Sequence, residues 1–122
     1  MHKAISQGLA VAKPWGDCDA FDLVFIWQRS FWRIQVKSIW TPPSPRVQVR
    51  TCYHEGTWKP YTEAEIDFLV AYVAHAGLCY IFPVAFLRNR TAVIFYLDDP
   101  AYDPYCEAWA LFQEPCPSVG RS

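Results

Sequence analysis

No run of this chain is long enough to cross a bilayer: its longest apolar stretches, Phe68 to Ala74 and Leu78 to Val84, fall well short of the roughly 20 residues a span needs. The opening Met1-His2-Lys3-Ala4-Ile5-Ser6-Gln7-Gly8 has one lysine and no long apolar segment behind it, so it does not read as a secretory signal. The five cysteines (Cys18, Cys52, Cys79, Cys106, Cys116) are odd in number, scattered and without a C-x-x-C pair. That pattern fits neither a zinc site nor a disulfide framework, and reduced thiols in a cytoplasmic protein are the expectation. There is no G-x-G-x-x-G and no G-x-x-x-x-G-K, so no nucleotide cofactor is suggested. No G-x-S-x-G elbow surrounds Ser30, Ser38 or Ser44, which disfavours an acyl-transfer enzyme. His2, His54 and His75 are too far apart in sequence to suggest a shared metal or acid–base role. Charge is also scarce, at 19% of residues with a net of -1. This argues against indiscriminate adhesion to nucleic acid, but leaves room for a locally basic face, because the shape of the field matters more than its sum.

What the chain does contain is core material. Of its 122 residues 52% are hydrophobic and 17% aromatic, enough for one ordinary domain and incompatible with disorder throughout. Strand signals dominate. The segment 8–13 is small and β-tolerant, and Pro14 stops it. Phe21 to Trp27 is rich in strand formers, Gln28-Arg29-Ser30 reads as a hairpin turn, and residues 31–38 alternate strictly. Trp32, Ile34 and Val36 fall on one face there, with Arg33, Gln35 and Lys37 on the other. Thr41-Pro42-Pro43-Ser44-Pro45 is a stiff connector, and Val47 to Tyr53 alternates again. Thr62 and Glu65 have the spacing of a capping box, which predicts one helical turn followed by a buried strand from Phe68. Further strands are expected over 78–83 and 91–97, the latter at a sheet edge, and a helix over 104–112 with Pro104 at its start. The sum is a single domain of α/β or α+β class, 1–114, with a C-terminal tail at 115–122.

The chemistry-bearing block is Asp22 at the head of one strand, followed across a hairpin by Gln35 and Lys37 on a single face of the next. Adjacent strands bring paired side chains to roughly 5 Å at Cβ, so the three can meet. A carboxylate, an amide and a lysine together suit metal-assisted phosphodiester cleavage. The oxygens hold a hard divalent cation, and the lysine orients or deprotonates water and neutralises developing charge. Spacing alone leaves a second reading open, in which Asp22 caps a turn and Gln35 and Lys37 form a solvated strand face.

Trp15-Gly16-Asp17, Phe21-Asp22-Leu23-Val24, Trp32-Arg33-Ile34-Gln35-Val36-Lys37-Ser38, the block Tyr61 to Tyr72, and Tyr80-Ile81-Phe82-Pro83-Val84 occur in an order that resembles the PD-(D/E)XK nuclease superfamily. Within it, the likeness is to the branch of group I intron-associated (homing) endonucleases, in which Q-x-K often replaces D/E-x-K. The resemblance spans about residues 8–87. It implies a restriction-endonuclease-like mixed central β-sheet flanked by helices, and Mg²⁺-dependent DNA hydrolysis in which Mn²⁺ can substitute. It also implies that Asp22, Gln35 and the Val36 carbonyl form the metal site, with Asp22, Gln35 and Lys37 catalytic. Asp67 matches a recurrent position and reads as structural, satisfying backbone donors where the turn enters the strand. Family members usually open with a helix carrying a metal-site glutamate. The seven residues before Gly8 hold no acid, so the resemblance is to an N-terminally shortened member.

Arg46, Arg50 and Lys59, with Arg88 and Arg90 beside them, are candidates for a DNA-facing groove, each able to neutralise a phosphate, or else part of an ordinary solvated surface. The expected partner is DNA, with no membrane, and with a homo-oligomer if both strands are to be cut. The competing readings are a nucleic-acid-binding module of the same fold without catalysis, and a protein-interaction domain built on the exposed aromatics.

Overall fold

Alternating and continuous apolar patterns build two different kinds of strand in this chain, and together they decide which faces are covered. The computed structural model describes residues 2–13 and 22–113. The turn at Trp15-Gly16-Asp17, the positions of Cys18, Phe21 and Cys116, and the tail at 115–122 lie outside them. Among the described residues a single helical turn, α1 (His2–Ser6), precedes nine strands. These are β1 (Ala10–Ala12), β2 (Leu23–Trp27), β3 (Ser30–Ile39), β4 (Arg46–Arg50), β5 (Cys52–Glu55), β6 (Thr57–Pro60), β7 (Phe68–Val73), β8 (Leu78–Pro83) and β9 (Ala92–Tyr96).

The central sheet has the order β1-β2-β3-β7-β8, with β3 and β7 parallel and every other neighbour antiparallel. The β2–β3 hairpin closes at Trp27↔Ser30 with Gln28 in the left-handed region at φ 55°. A parallel pair cannot be joined by a tight turn, so the chain between β3 and β7 makes a long excursion. That excursion contains β4, β5, β6 and the turn at 62–65, where Glu65 Oε1 accepts from Thr62 N–H and Oγ1 at 2.9 Å each; the first is the return bond of a capping box, while the Glu65 N–H donates to Thr62 O (3.0 Å) and not to the Thr62 hydroxyl.

Both faces of the sheet are buried. Trp32, Ile34, Phe68, Val70, Cys79 and Ile81 point to one side, where they meet Phe25, Phe112 and Trp109. Ile39, Leu69, Ala71, Val73, Tyr80 and Phe82 point to the other, under Val47, Val49, Val93 and Phe95. This explains why β7 and β8 read as unbroken apolar runs: a strand covered on both faces has no polar side to alternate. It also places Gln35 and Lys37 on a partly covered face rather than an open one; Gln35 is only 9% exposed.

Three expectations differ in detail. The segment expected to run as one strand over 47–53 breaks at Thr51, whose N–H donates to Thr91 O (3.0 Å) and whose Oγ1 donates to Arg90 O (2.8 Å). Those bonds turn the chain from the β4–β9 ribbon into the separate β5–β6 ribbon. Residues 92–96 accordingly pair with β4 in a two-stranded sheet and not at the edge of the central one. The helix expected over 104–112 is replaced by two 3₁₀ segments, Pro100–Tyr105 and Trp109–Phe112. The edge of β8 takes the intervening residues: Cys106 bridges Tyr80, Glu107 N–H donates to Cys79 O (2.7 Å), and Cys79 N–H donates to Glu107 Oε2 (2.6 Å). An open strand edge thus outcompeted the helix for these backbone groups.

Candidate metal and phosphodiester site

Asp22 stands one residue before β2 and continues its ladder, donating its N–H to Ile34 O at 2.8 Å. Its side chain then turns to the edge of β3 just past the last β2–β3 pair. There Oδ2 accepts from the Val36 N–H (3.1 Å) and from Gln35 Nε2 (3.0 Å). The carboxylate is therefore held by two donors on one oxygen, while Asp22 Oδ1 and Gln35 Oε1 have no hydrogen-bond partner among the described residues. Within one strand residue N–H and C=O point to the same edge, so the Val36 carbonyl leaves β3 on the side that Asp22 occupies. Asp22, Gln35 and Val36 are brought together.

Lys37 follows on the same face of β3 as Gln35. It is half-buried, forms no ion pair among the described residues, and carries its Nζ 5.7 Å from the centroid of the Tyr61 ring. Tyr61 is a member of this site that no sequence pattern marked, beyond its place at the start of the 61–65 turn. It is 5% exposed and packs on Tyr53 with ring centroids 5.3 Å apart. Burial first, and then the negative charge of Asp22, push its hydroxyl up to about 12. Tyr61 is thus a neutral, apolar wall under the lysine. Its approach depends on the fold of the 40–67 excursion, so no local spacing announces it.

The donor set suits a hard cation in kind. Asp22 Oδ1, Gln35 Oε1 and the Val36 carbonyl are all oxygens, two of them with open hydrogen-bonding capacity, and Mg²⁺ commonly takes one or two carboxylates and fills the rest of its shell with water and phosphate oxygens. No cluster of three His, Cys, Asp or Glu side chains able to hold a metal exists among the described residues, so an all-protein cage is not available there. The single turn of α1 contributes no acid in its first turn.

Asp67 is built differently. Its Oδ2 accepts from Arg33 N–H (2.8 Å) and Nε (3.2 Å), and its Oδ1 from Arg33 Nη2 (3.1 Å). Both oxygens are engaged in clamping β3 to the start of β7.

The candidate nucleic-acid residues do not form one cluster. Arg46 and Arg50 project from the outer face of β4, and the Arg50 guanidinium lies 4.5 Å from the Trp58 ring centroid. Lys59 pairs directly with Tyr53 across the β5–β6 ribbon, which puts it on the face opposite Trp58 and on the side of Tyr61. Arg88 is tied to Glu63 at 2.7 Å, and Arg90 lies over Phe86.

A search of curated proteins gave no match. Among solved structures, the chain is similar to that of a bacterial homing endonuclease, I-Ssp6803I, with a TM-score of 0.77 and 29% sequence identity over 99% of this chain and 88% of that one. The sequence profile of the PD-(D/E)XK endonuclease family matches residues 1–105, and with the mixed sheet described above this means that the chain belongs to the PD-(D/E)XK endonuclease family.

Proposed function

We propose that this protein is a metal-dependent endonuclease hydrolysing phosphodiester bonds in DNA, at the site formed by Asp22, Gln35, Val36 and Lys37. The observation that carries this reading is the pairing of a carboxylate oxygen, Asp22 Oδ1, with a lysine on the strand beside it, neither having a hydrogen-bond or anionic partner among the described residues. Asp22 Oδ1, Gln35 Oε1 and the Val36 carbonyl would hold Mg²⁺ or Mn²⁺, which when bound supplies Lewis acidity and lowers the pKa of water. Asp22 Oδ2 keeps the carboxylate in place through the Val36 N–H and the Gln35 amide, so Oδ1 is aimed before substrate arrives. Lys37 orients the attacking water and stabilises charge building on the phosphate, while Tyr61 holds water away from one side of the ammonium. Arg46, Arg50 and Lys59 bind backbone phosphates. Cutting both strands takes two such sites, and hence a homo-oligomer.

A binding module without catalysis is favoured by one observation: no cluster of three His, Cys, Asp or Glu side chains exists among the described residues, and Asp22 is the one carboxylate in the set Asp22, Gln35, Val36 and Lys37. The two readings separate in a cleavage assay on plasmid and branched DNA with Mg²⁺ or Mn²⁺. Nicking by the parent that is lost with chelator, with Asp22→Ala and with Lys37→Ala establishes the nuclease and the site. Activity that persists in both variants refutes the site. DNA retention without cleavage, tightened by Asp22→Ala through loss of a negative charge, establishes the module.

A further inference from the structure

The β4–β9 ribbon is sealed on one side and open on the other. Val47, Val49, Val93 and Phe95 are between 1% and 2% exposed and fix it to the core. The alternate positions, Arg46, Gln48 and Arg50 on β4 and Ala92, Ile94 and Tyr96 on β9, face outward in the pairs Arg46↔Tyr96, Gln48↔Ile94 and Arg50↔Ala92. None of the six is acidic. Ile94 and Tyr96 are each 48% exposed, and Trp58 extends the same surface beneath the Arg50 guanidinium. The Gln48 amide and the Arg46 guanidinium make no hydrogen bond or ion pair among the described residues, so their donors and acceptors are unspent.

We propose that this ribbon enters the major groove of duplex DNA, with Gln48 as a base-reading residue and Arg46 and Arg50 flanking it. The proposal rests on the endonuclease reading above and adds to it where sequence is recognised. A two-stranded ribbon fits the groove of B-form DNA, about 12 Å wide. Alternate strand residues stand roughly 6.8 Å apart, which matches about two base-pair steps of 3.4 Å. A glutamine pairs bidentately with adenine, and an aliphatic side chain such as Ile94 meets the thymine methyl, while Arg46 and Arg50 on either side hold the backbone phosphates. Rigid seating of the inner face holds these groups in register, as recognition requires. The deep, narrow major groove of an RNA helix excludes such a ribbon.

The test is selection of 30-bp duplexes from a randomised library by the full chain in chelator, repeated with Gln48→Ala and Gln48→Glu. Unfolding midpoints close to that of the parent would show that both variants fold. The parent should enrich a motif with an adenine favoured by roughly 5- to 150-fold over other bases. Gln48→Ala should flatten that position alone, and Gln48→Glu should move it to cytosine, whose amino group a carboxylate accepts. An unchanged motif in both variants overturns the proposal. So does enrichment of the same motif from an RNA duplex library, or retention of duplexes by the parent without any motif; these leave the endonuclease reading standing. Failure of the parent to retain any duplex also overturns the proposal, and the cleavage assay with metal then decides the endonuclease reading separately.

Discussion

Two aspartates brace the same strand from its two edges, and the difference between them separates chemistry from architecture. Asp67 spends both oxygens on Arg33, accepting from its backbone N–H and from two guanidinium nitrogens, while that guanidinium also donates to Ala64 O and Glu63 O. Asp22 spends one oxygen, and its other has no hydrogen-bond partner among the described residues. Removing Asp67 strands a strand amide and a half-buried cation, so Asp67→Ala should lower the free energy of unfolding by about 3 kcal/mol. Asp22 is exposed, so its donors return to water, and Asp22→Ala should cost only about 1 kcal/mol. Urea unfolding of the two variants checks the order; equal losses would place Asp22 among the structural residues.

At the scale of elements, the link between the N-terminal turn and the 3₁₀ segments is Glu107. Its Oε2 takes both the Cys79 N–H and Lys3 Nζ (2.9 Å), its Oε1 takes Trp109 Nε1 (3.2 Å), and its own backbone sits at φ 52° to allow this. Burial raises the Glu107 carboxyl, but the bonds from Cys79, Lys3 and Trp109 outweigh it and hold the group below the ordinary glutamate value of 4.5. Burial likewise lowers Lys3, and its bond to Glu107 more than restores it, so it ends above 10.5. A depressed acid stabilises the fold above its unfolded value and loses that contribution as pH falls through the folded one. A raised base contributes below its unfolded value and loses that as pH climbs past the folded one. The clamp therefore acts fully between about 4.5 and 10.5, and Glu107→Gln should flatten the acid limb of a plot of unfolding free energy against pH. An acid limb as steep in the variant as in the parent would assign acid loss to other carboxylates.

For the whole molecule, burial on both faces of a five-stranded sheet makes the covering segments essential although they are short. Phe112 is fully buried, with ring contacts to Phe25, Trp32, Phe68 and Trp109, and its carbonyl accepts from Trp32 Nε1 at 3.0 Å. A 3₁₀ turn of four residues has little intrinsic stability, so this aromatic is what docks it. Phe112→Ala should cost about 3–5 kcal/mol, read from a chemical denaturation midpoint. Loss of less than 1 kcal/mol would mean that the segment is not docked through this ring.

What the sequence determined by itself is what depends on near neighbours. The period-2 pattern of 31–38, the hairpin turn expected at Gln28-Arg29-Ser30 (of which Ser30 joins β3 by pairing with Trp27) and the turn of Thr62 and Glu65 are set by local sterics and hydrogen bonds, and so was the meeting of Asp22 with Gln35 across one hairpin. The parallel pairing of β3 with β7 brings together residues from both ends of a long excursion, and only the tertiary structure decided what lies along it. That excursion carries Tyr61 under Lys37, splits the 46–55 stretch at Thr51, and turns Lys59 away from the face that holds Arg50. The helical periodicity of 104–112 was a real signal that lost to a stronger demand, because the edge of β8 at Cys79 needed partners and Glu107 supplied them. Local pattern specifies what a segment can form, and the unpaired groups of the assembled sheet specify which of those forms it takes.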